Sequence, residues 1–424
     1  MTHSPAARRP WVLLFIAVCL IAANLRVTIM GIGPLLDEIA DDQHVSPAAL
    51  GALASVPLLA WGIFSPLAQG FSSRFGMSRT VSGALVILAL GTIWRSLPGP
   101  QANIWIGTAL IGFGLAIGNV LMPAVIKRDF GERVPLVMGV YTALLSGSAA
   151  IAAGLVVPIS HFEPGGSGQG LGWRVALLAT GALIPPALIV WIWATRRPRP
   201  ADPGPFLAGA ESARATGGVE AAGPADDRAG RRIWRDPLAW RVSVYMGTQS
   251  AGFYMLSAWL APYSASIGRD PVVAGIDVMI YQLFGIAGSL MLPLVARGRV
   301  RPWVPGAVPA ITLIAVVGVL VAPALLPLWL VIAGTMTGSA ITIALTLTAS
   351  RARTARHAAA LSGMAQSVGY LIAMCGPIAF GWVLGLGIGW AAPFALVWVS
   401  LAAQSVFGFS VRRQQYVLDR PERR

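Results

Sequence analysis

The sequence has few charged residues, few cysteines and few histidines. Only 11% of its 424 residues are Asp, Glu, Lys or Arg, less than half of the roughly 25% that is usual in soluble domains. The two cysteines, Cys19 and Cys375, both lie in apolar runs, so the sequence indicates neither a disulfide framework nor a cysteine-based zinc site. These shortages exclude a soluble enzyme, a disordered chain and a secreted disulfide-bonded scaffold.

Enzyme motifs are missing as well. The single lysine, Lys127, has no glycine-rich phosphate-binding segment before it, and there is no His-Glu-x-x-His, Gly-x-Ser-x-Gly or Cys-x-x-Cys motif. Gly112-x-Gly114 followed by Gly118 lacks the spacing of a dinucleotide-binding fold. We therefore expect no enzymatic activity, no cofactor, no metal site and no ATP-driven pumping by this chain alone.

Apolar residues are abundant instead. They make up 56% of the chain, which is enough for roughly twelve membrane spans of about 20 residues each. The first apolar run follows Arg8 and Arg9 as a signal peptide would, but it continues through Arg26 to Leu36, which favours a first transmembrane helix. The predicted fold is an all-α membrane protein with twelve transmembrane helices in two pseudo-symmetric six-helix bundles. The spans are expected near 11–36, 47–71, 80–97, 103–126, 134–159, 172–194, 238–263, 272–295, 304–322, 327–349, 357–384 and 390–410.

The basic residues behind the net charge of +14 are concentrated in particular segments of the chain. Of the 31 Lys and Arg residues, 27 lie in the N-terminal segment, in every second loop or in the C-terminal segment. This is the positive-inside pattern, which predicts that both termini are cytoplasmic and argues against nucleic acid as a partner. Four arginines lie elsewhere: Arg26, Arg95, Arg174 and Arg269.

The chain repeats itself about a polar central interval. Arg74 and Arg297, each after the second span of its half, are 223 residues apart, and Lys127 and Arg351 are 224 apart. We predict an N-terminal bundle over 1–195, a flexible cytoplasmic linker over 196–237 and a C-terminal bundle over 238–424. Two bundles repeated in this way are typical of transporters that rock about a midplane site.

Four stretches carry a resemblance to a known family. They are Ala23–Arg26 in span 1, Gly118–Phe130 in span 4, Gln249–Leu260 in span 7 and Ala360–Tyr370 in span 11. With the six-plus-six plan, they resemble the major facilitator superfamily and, within it, the cyanate/2-nitroimidazole transporter (CynX/NimT) family. The resemblance implies a monomeric transporter in the bacterial inner membrane that moves a small organic solute by alternating access.

The loop after span 2 departs from the superfamily pattern Gly-x-x-x-Asp-Arg-x-Gly-Arg-Arg. Arg74 and Gly76 match this pattern, but Ser73 stands where the aspartate is expected and the arginine pair is absent. The resemblance implies that this loop takes part in conformational change. The missing charges predict a weaker or differently built charged contact between the cytoplasmic helix ends.

Arg26 is the most informative single residue. It lies 11 residues before Asp37, about 16 Å along a helix axis, too far for its side chain to reach that interface. A charge in hydrocarbon costs at least about 2.5–3.5 kcal/mol, so Arg26 is expected to face a wet cavity or a partner. We interpret it as the counter-charge for an anionic or electron-rich substrate. The alternative is an arginine capped by backbone carbonyls between helices.

Further polar residues in the spans are candidates for substrate binding. Gln249 lies 223 residues after Arg26, at the equivalent place in the repeat. Gln366 and Tyr370 share one helical face of span 11. Each of these could instead pack helices together. The remaining candidates are Asn119, Tyr141, Asn24 and Tyr254, with Trp259, Tyr281 and Gln282 as weaker ones.

Asp277 is the one carboxylate well inside a predicted span. It is a candidate for proton coupling. The alternative, which we favour, is a residue in a water-filled periplasmic vestibule.

The sequence leaves three functions open. The leading one is a transporter of a small anionic or strongly polar organic solute. The second is an exporter of neutral nitro-heterocycles. The third is a transporter-like receptor or scaffold that signals through residues 196–236.

Overall fold

The computed structural model describes residues 9–164, 170–196 and 232–418, and every regular element in these ranges is helical. Most of the predicted linker, and the first and last residues of the chain, lie outside the described residues. The first half contains α1 (Arg9–Met30), α2 (Leu36–Gln43), α3 (Pro47–Phe75), α4 (Met77–Ser96), α5 (Ala102–Asp129), α6 (Val134–Ser160), α7 (Gly172–Ala179) and α8 (Ile184–Thr195). The second half contains α9 (Pro237–Ser266), α10 (Pro271–Val295), α11 (Val304–Val321), α12 (Leu326–Ser350), α13 (Ala355–Leu384) and α14 (Ala391–Ser410).

These helices form twelve spans, six in each half, so the predicted all-α fold of two six-helix bundles is confirmed. Eleven segments of the described chain are long and apolar enough to cross a membrane. The twelfth span is α9, which has 30 residues but carries polar groups such as Gln249 and Ser250 along its length. Its polarity shows that this helix is built to be enclosed by others.

Several helix starts are set by the local sequence. Ser46, Asp236, Asp270 and Thr354 each precede a helix, and the side-chain oxygen of each accepts a backbone N–H from the first turn. In the first three a proline follows directly, where its missing N–H costs nothing. These caps explain why the spans begin within one or two residues of the positions predicted from the apolar pattern.

Spans 1 and 6 are interrupted near the same level. Span 1 ends as an α-helix at Met30 and continues through a 3-10 turn, Gly33–Leu35, into α2. Pro34 cannot donate a backbone hydrogen bond, and the N–H of Ile32 bonds to Ile29 rather than to Thr28. The carbonyl of Thr28 is thereby free for another donor. Span 6 breaks between α7 and α8, where prolines occupy the first turn of α8.

The two halves pack against each other mainly on one side of the membrane. We call the side at which α8 ends and α9 begins the linker side, and the side at which α1 ends and α3 begins the loop side. On the loop side, one hydrophobic core contains residues of both halves, including Leu36 and Val156 from the first and Leu256 and Phe380 from the second. Toward the linker side, the second half has a core of its own, and the core of the first half includes only Tyr254 and Ala373 as buried residues of the second. The molecule is therefore closed on the loop side.

Glycines show how tight this closure is. A Cβ on Gly51 of α3 would lie 2.2 Å from the carbonyl oxygen of Pro377 in α13, and one on Gly275 of α10 would lie 3.0 Å from that of Ala153 in α6. By contrast, a Cβ added at Gly139 or Gly363, which lie toward the linker side, would meet no other atom within 4 Å. Helix backbones of opposite halves touch at one side and stand apart at the other.

Candidate functional site

A cavity of about 500 Å³ lies between the two halves. Its walls come from spans 1 and 5 of the first half and spans 7, 8, 10 and 11 of the second. Lining residues such as Gly139 and Ser289 lie near the linker-side ends of their helices, so the cavity opens toward that side. Its volume is within the range of roughly 300–1,000 Å³ that is typical of small-molecule sites.

Arg26 is the one charged residue among the described residues that line the cavity. Its Nη1 donates a hydrogen bond of 2.9 Å to the hydroxyl oxygen of Tyr254, which belongs to the other half. No carboxylate of the described residues pairs with it. The positive charge is held by neutral partners, which leaves it available to an anionic or electron-rich ligand.

Aromatic rings position this guanidinium. The Arg26 Cζ atom lies 5.3 Å from the ring centroid of Trp61, a distance at which a cation is attracted to the ring face. Trp61 is buried and packs edge-on against Tyr254 and Tyr370, with centroids 6.4 and 5.5 Å away. The charge is therefore fixed by a small cluster of Trp61, Tyr254 and Tyr370.

The second half supplies most of the polar groups of the cavity. Gln249, Ser250, Tyr281, Gln282 and Tyr370 all line it. The Oγ of Ser250 donates to the Oε1 of Gln249 over 3.2 Å. The Nε2 of Gln282 is buried and has no hydrogen-bond partner among the described residues. The remaining wall is largely apolar, with Phe253 among its residues.

The structure thus brings together four of the candidates from the sequence: Arg26, Gln249, Tyr254 and Tyr370. The weaker candidates Tyr281 and Gln282 join them, but Trp259 does not. Trp259 is 2% exposed and stacks on Phe380 with a centroid distance of 5.5 Å, so it packs in the core rather than anchoring at the membrane interface.

Four other candidates lie outside the cavity wall. Asn24 is fully buried and its side-chain amide donates to the carbonyl of Leu20, so it serves the helix interior. Tyr141 is buried on span 5 and Asn119 is half-buried on span 4. Gln366 is exposed one turn nearer the linker side than Tyr370 and donates to the hydroxyl of Ser362.

Asp277 has no exposed surface in this conformation, which is closed on the loop side, so no water-filled vestibule is open around it here. Its carboxylate accepts a hydrogen bond of 2.6 Å from Ser264 and one of 2.9 Å from Arg269 Nη2. The Nε of Arg269 lies 2.8 Å from the other carboxylate oxygen. This fork-like pair gives the carboxylate a counter-charge near the loop-side end of α10.

Arg95 is a buried arginine that we did not single out from the sequence. It is 1% exposed, and its Nη1 donates 2.8 Å to the freed carbonyl of Thr28, two residues from Arg26. A second contact, 3.5 Å long, reaches the hydroxyl of Thr180 where span 6 breaks. Arg95 therefore joins the interrupted parts of spans 1 and 6. From the sequence, Arg95 is noted only as one of the four arginines outside the basic segments.

The loop after span 2 is held by shape rather than by ion pairs. Gly76 has φ +82, a left-handed backbone that favours glycine. The Arg74 Cζ lies 5.5 Å from the ring of Phe75. No described carboxylate pairs with Arg74, in line with the missing aspartate at Ser73.

Comparisons with known proteins agree with this architecture. Residues 14–377 match the Major Facilitator Superfamily. The 2-nitroimidazole transporter of Escherichia coli (strain K12) is 33% identical over 407 residues, covering 96% of this chain and 97% of that protein. The cyanate transport protein CynX of the same strain is 27% identical over 368 residues, covering 86% and 88%. A crystal structure of a bacterial homologue of the human lysosomal transporter Spinster, inward-facing and unoccupied, matches with TM-score 0.73 and 16% identity over 96% of both chains.

Twelve membrane-spanning helices with a cavity between two bundles, together with these relatives, identify a transporter of small solutes. This chain belongs to the Major Facilitator Superfamily. The resemblance to the CynX/NimT type is confirmed, and the relatives and the fold are those of transporters rather than of enzymes. The described residues contain no cluster of His, Cys, Asp and Glu that could hold a metal ion.

Proposed function

We propose that this protein is a secondary transporter that moves a small organic anion, or a strongly polar organic solute, across the bacterial inner membrane by alternating access. Arg26 binds the negative or electron-rich end of the solute. Gln249, Gln282 and Tyr370 donate hydrogen bonds from the other half, and the apolar wall around Phe253 contacts the rest of the molecule.

The observation that carries the proposal is the unpaired charge of Arg26 in the cavity. Burying a charge without a counter-charge is costly, and here the partners are the Tyr254 hydroxyl and the Trp61 ring. A bound anion would complete this site. Because Arg26 belongs to the first half and Tyr254 to the second, a ligand at this point also touches both bodies that must move.

The direction of opening follows from the distribution of positive charge. The positive-inside pattern supports a cytoplasmic linker side, and on that orientation the cavity of the described conformation opens to the cytoplasm. In the alternate conformation the loop side would open and the linker side would close.

Uptake by proteoliposomes tests the role of Arg26. With cyanate and an aromatic monocarboxylate as probes, we expect Arg26→Ala to lower kcat/KM by about 10- to 100-fold, because a hydrogen bond to a charged group is lost. Arg26→Lys keeps the charge but loses the forked geometry and should recover part of the activity. Tyr254→Phe should give a smaller loss.

Arg235→Ala is the matched control, since it removes one positive charge from an exposed position outside the cavity. It should leave uptake unchanged. Equal transport of an anionic probe by wild type and Arg26→Ala would refute the role proposed for Arg26.

A neutral nitro-heterocycle is a second candidate substrate. The apolar and aromatic character of the cavity favours it, and one relative is named as a 2-nitroimidazole transporter. Nitro oxygens can accept hydrogen bonds from a guanidinium. Overexpression that lowers sensitivity to 2-nitroimidazole, together with stabilisation of the purified protein by this compound and not by cyanate, would favour the exporter.

A further inference from the structure

A second cavity, of about 230 Å³, lies at the linker side of the second half. It is formed where α10 ends, α11 begins, α12 ends and the chain leaves α14. It is smaller than the roughly 300 Å³ at which small-molecule sites usually begin. Three arginines line it: Arg301, Arg351 and Arg412.

The described lining of this cavity contains no carboxylate. The nearby acid Asp236 is occupied, because its oxygens accept the backbone N–H groups of Leu238, Ala239 and Leu418. Burial lowers the pKa of the Arg351 guanidinium, and the positive charge of Arg301 lowers it further. Arg351 and Arg301 therefore disfavour each other's charge, and a bound anion would relieve this.

The geometry of the arginines favours a bound oxyanion. Arg351 is anchored by a hydrogen bond from Nη2 to the carbonyl of Val411, while its buried Nε has no hydrogen-bond partner among the described residues. Arg412 is held over the ring of Trp303, at 5.1 Å from its centroid. Thr346 and Ser350 add hydroxyl groups to the wall. Planar guanidinium groups beside hydroxyls are well suited to phosphate oxygens.

The surroundings of the cavity are apolar. Leu292, Val304 and Ile343 belong to its wall. Next to it, Leu294 and Val295 at the end of α10 and Trp303 just before α11 lie on the outer surface, each exposed by more than half. A phosphate bound by the arginines would thus lie beside a surface that accepts hydrocarbon chains.

We propose that this cavity binds the phosphodiester head group of an anionic phospholipid, such as phosphatidylglycerol, from the leaflet on the linker side. Basic pockets between transmembrane helices on the cytoplasmic side favour such head groups. The site is separate from the central cavity, and its test does not depend on the transported solute.

Native mass spectrometry of the purified full-length protein tests the proposal. The protein is incubated with phosphatidylglycerol or phosphatidylcholine, and the retained lipid is counted. We expect the wild type to retain phosphatidylglycerol selectively, and Arg301→Gln and Arg412→Gln each to lower its affinity by about fivefold. The matched control is Arg413→Gln, an exposed neighbour that does not line the cavity, and it should bind as the wild type does.

Soluble phosphate compounds distinguish the source of the head group. Inorganic phosphate and glycerol 3-phosphate at millimolar concentration should leave phosphatidylglycerol bound, because the acyl chains add to its affinity. Complete displacement by either compound would overturn the lipid assignment, as would equal retention of phosphatidylglycerol by the control and both cavity variants. A melting-temperature measurement on each variant verifies folding, since Arg412 also contacts Trp303.

Discussion

Arg26 and Arg269 show two ways of keeping an arginine among apolar helices. Arg269 meets the buried carboxylate of Asp277 and forms a closed ion pair. Arg26 faces the cavity and has only neutral partners. The closed pair is suited to holding helices α9 and α10 together, whereas the open charge is suited to binding. Of these two arginines, only Arg26 lacks a carboxylate partner, so only Arg26 points to the charge of a substrate.

The Asp277–Arg269 pair makes an asymmetric prediction about stability. Arg269→Met leaves a fully buried carboxylate with Ser264 as its remaining partner, so it should lower the free energy of unfolding by about 1–3 kcal/mol. Asp277→Asn leaves a 27% exposed guanidinium that can turn to water, and the loss should be smaller. The double variant should recover part of the loss. Thermal unfolding in detergent measures all three.

The same variants separate the two roles considered for Asp277. A residue that carries coupled protons should, when changed to Asn, remove the pH dependence of uptake. A residue that only stabilises α9 against α10 should leave that dependence in place and change the melting temperature alone. A larger melting-temperature loss for Asp277→Asn than for Arg269→Met would contradict the structural pair.

At the scale of elements, the ends of spans were the most predictable feature. Ser46, Asp236, Asp270 and Thr354 set where four of the spans begin, and the structure places α10 at 271–295 against the predicted 272–295. The breaks in spans 1 and 6 were not predicted. They depend on which carbonyls find a partner elsewhere, and Thr28 finds Arg95, 67 residues away.

The candidate site was predictable in part for the same reason. Arg26 and Gln249 are singled out by polarity inside an apolar run and by the repeat. Trp61 was missed because an aromatic residue in a span resembles core packing until its neighbours are known. Gln366 shares a helical face with Tyr370 but lies outside the cavity wall. The sequence shows which residues share a face, but not how far along the helix the cavity extends.

The contact between α3 and α13 yields a prediction about conformation. Gly51→Ala places a methyl group against the carbonyl of Pro377, and relieving this overlap requires the helices to separate on the loop side. An overpacking cost of roughly 1–3 kcal/mol should raise opening of the loop side by about fivefold or more. The readout is the labelling rate of a cysteine at Ala143, from the loop side, with both native cysteines replaced by serine.

Gly62→Ala is the control for this experiment. It lies on the same helix, and its added methyl group would make only an ordinary contact of 3.9 Å with Leu371. Its labelling rate should equal that of the parent protein. Faster labelling in both variants, or in neither, would count against a seal formed by Gly51.

At the scale of the whole molecule, the two bundles touch on the loop side and stand apart on the linker side. A Cβ added at Gly363 would meet no other atom within 4 Å in the described conformation. If the bundles rock, we expect the backbone there to approach the other bundle in the alternate state. We predict that Gly363→Trp keeps solute binding and folding but lowers net transport by at least about tenfold, because it prevents closure. Equilibrium binding and uptake on the same preparation measure the difference.

Gly83→Trp provides the comparison. Gly83 lies in the middle of α4 on an exposed face with nothing within 4 Å, so an added indole there should meet neither bundle. Transport by Gly83→Trp should be normal. Unimpaired transport by Gly363→Trp would show that this part of α13 does not enter the closing contact.

The composition of α9 has a consequence for how the protein is made. Of its 30 residues 23 are buried, and these include Gln249, Ser250 and Ser257. A helix that polar would partition poorly into lipid by itself during synthesis. It becomes stable in the membrane when α10, α13 and α14, which pack against it, have emerged from the ribosome. The second half is thus expected to enter the bilayer as a cooperative unit, and the polar residues proposed to bind the solute are expected to slow its insertion.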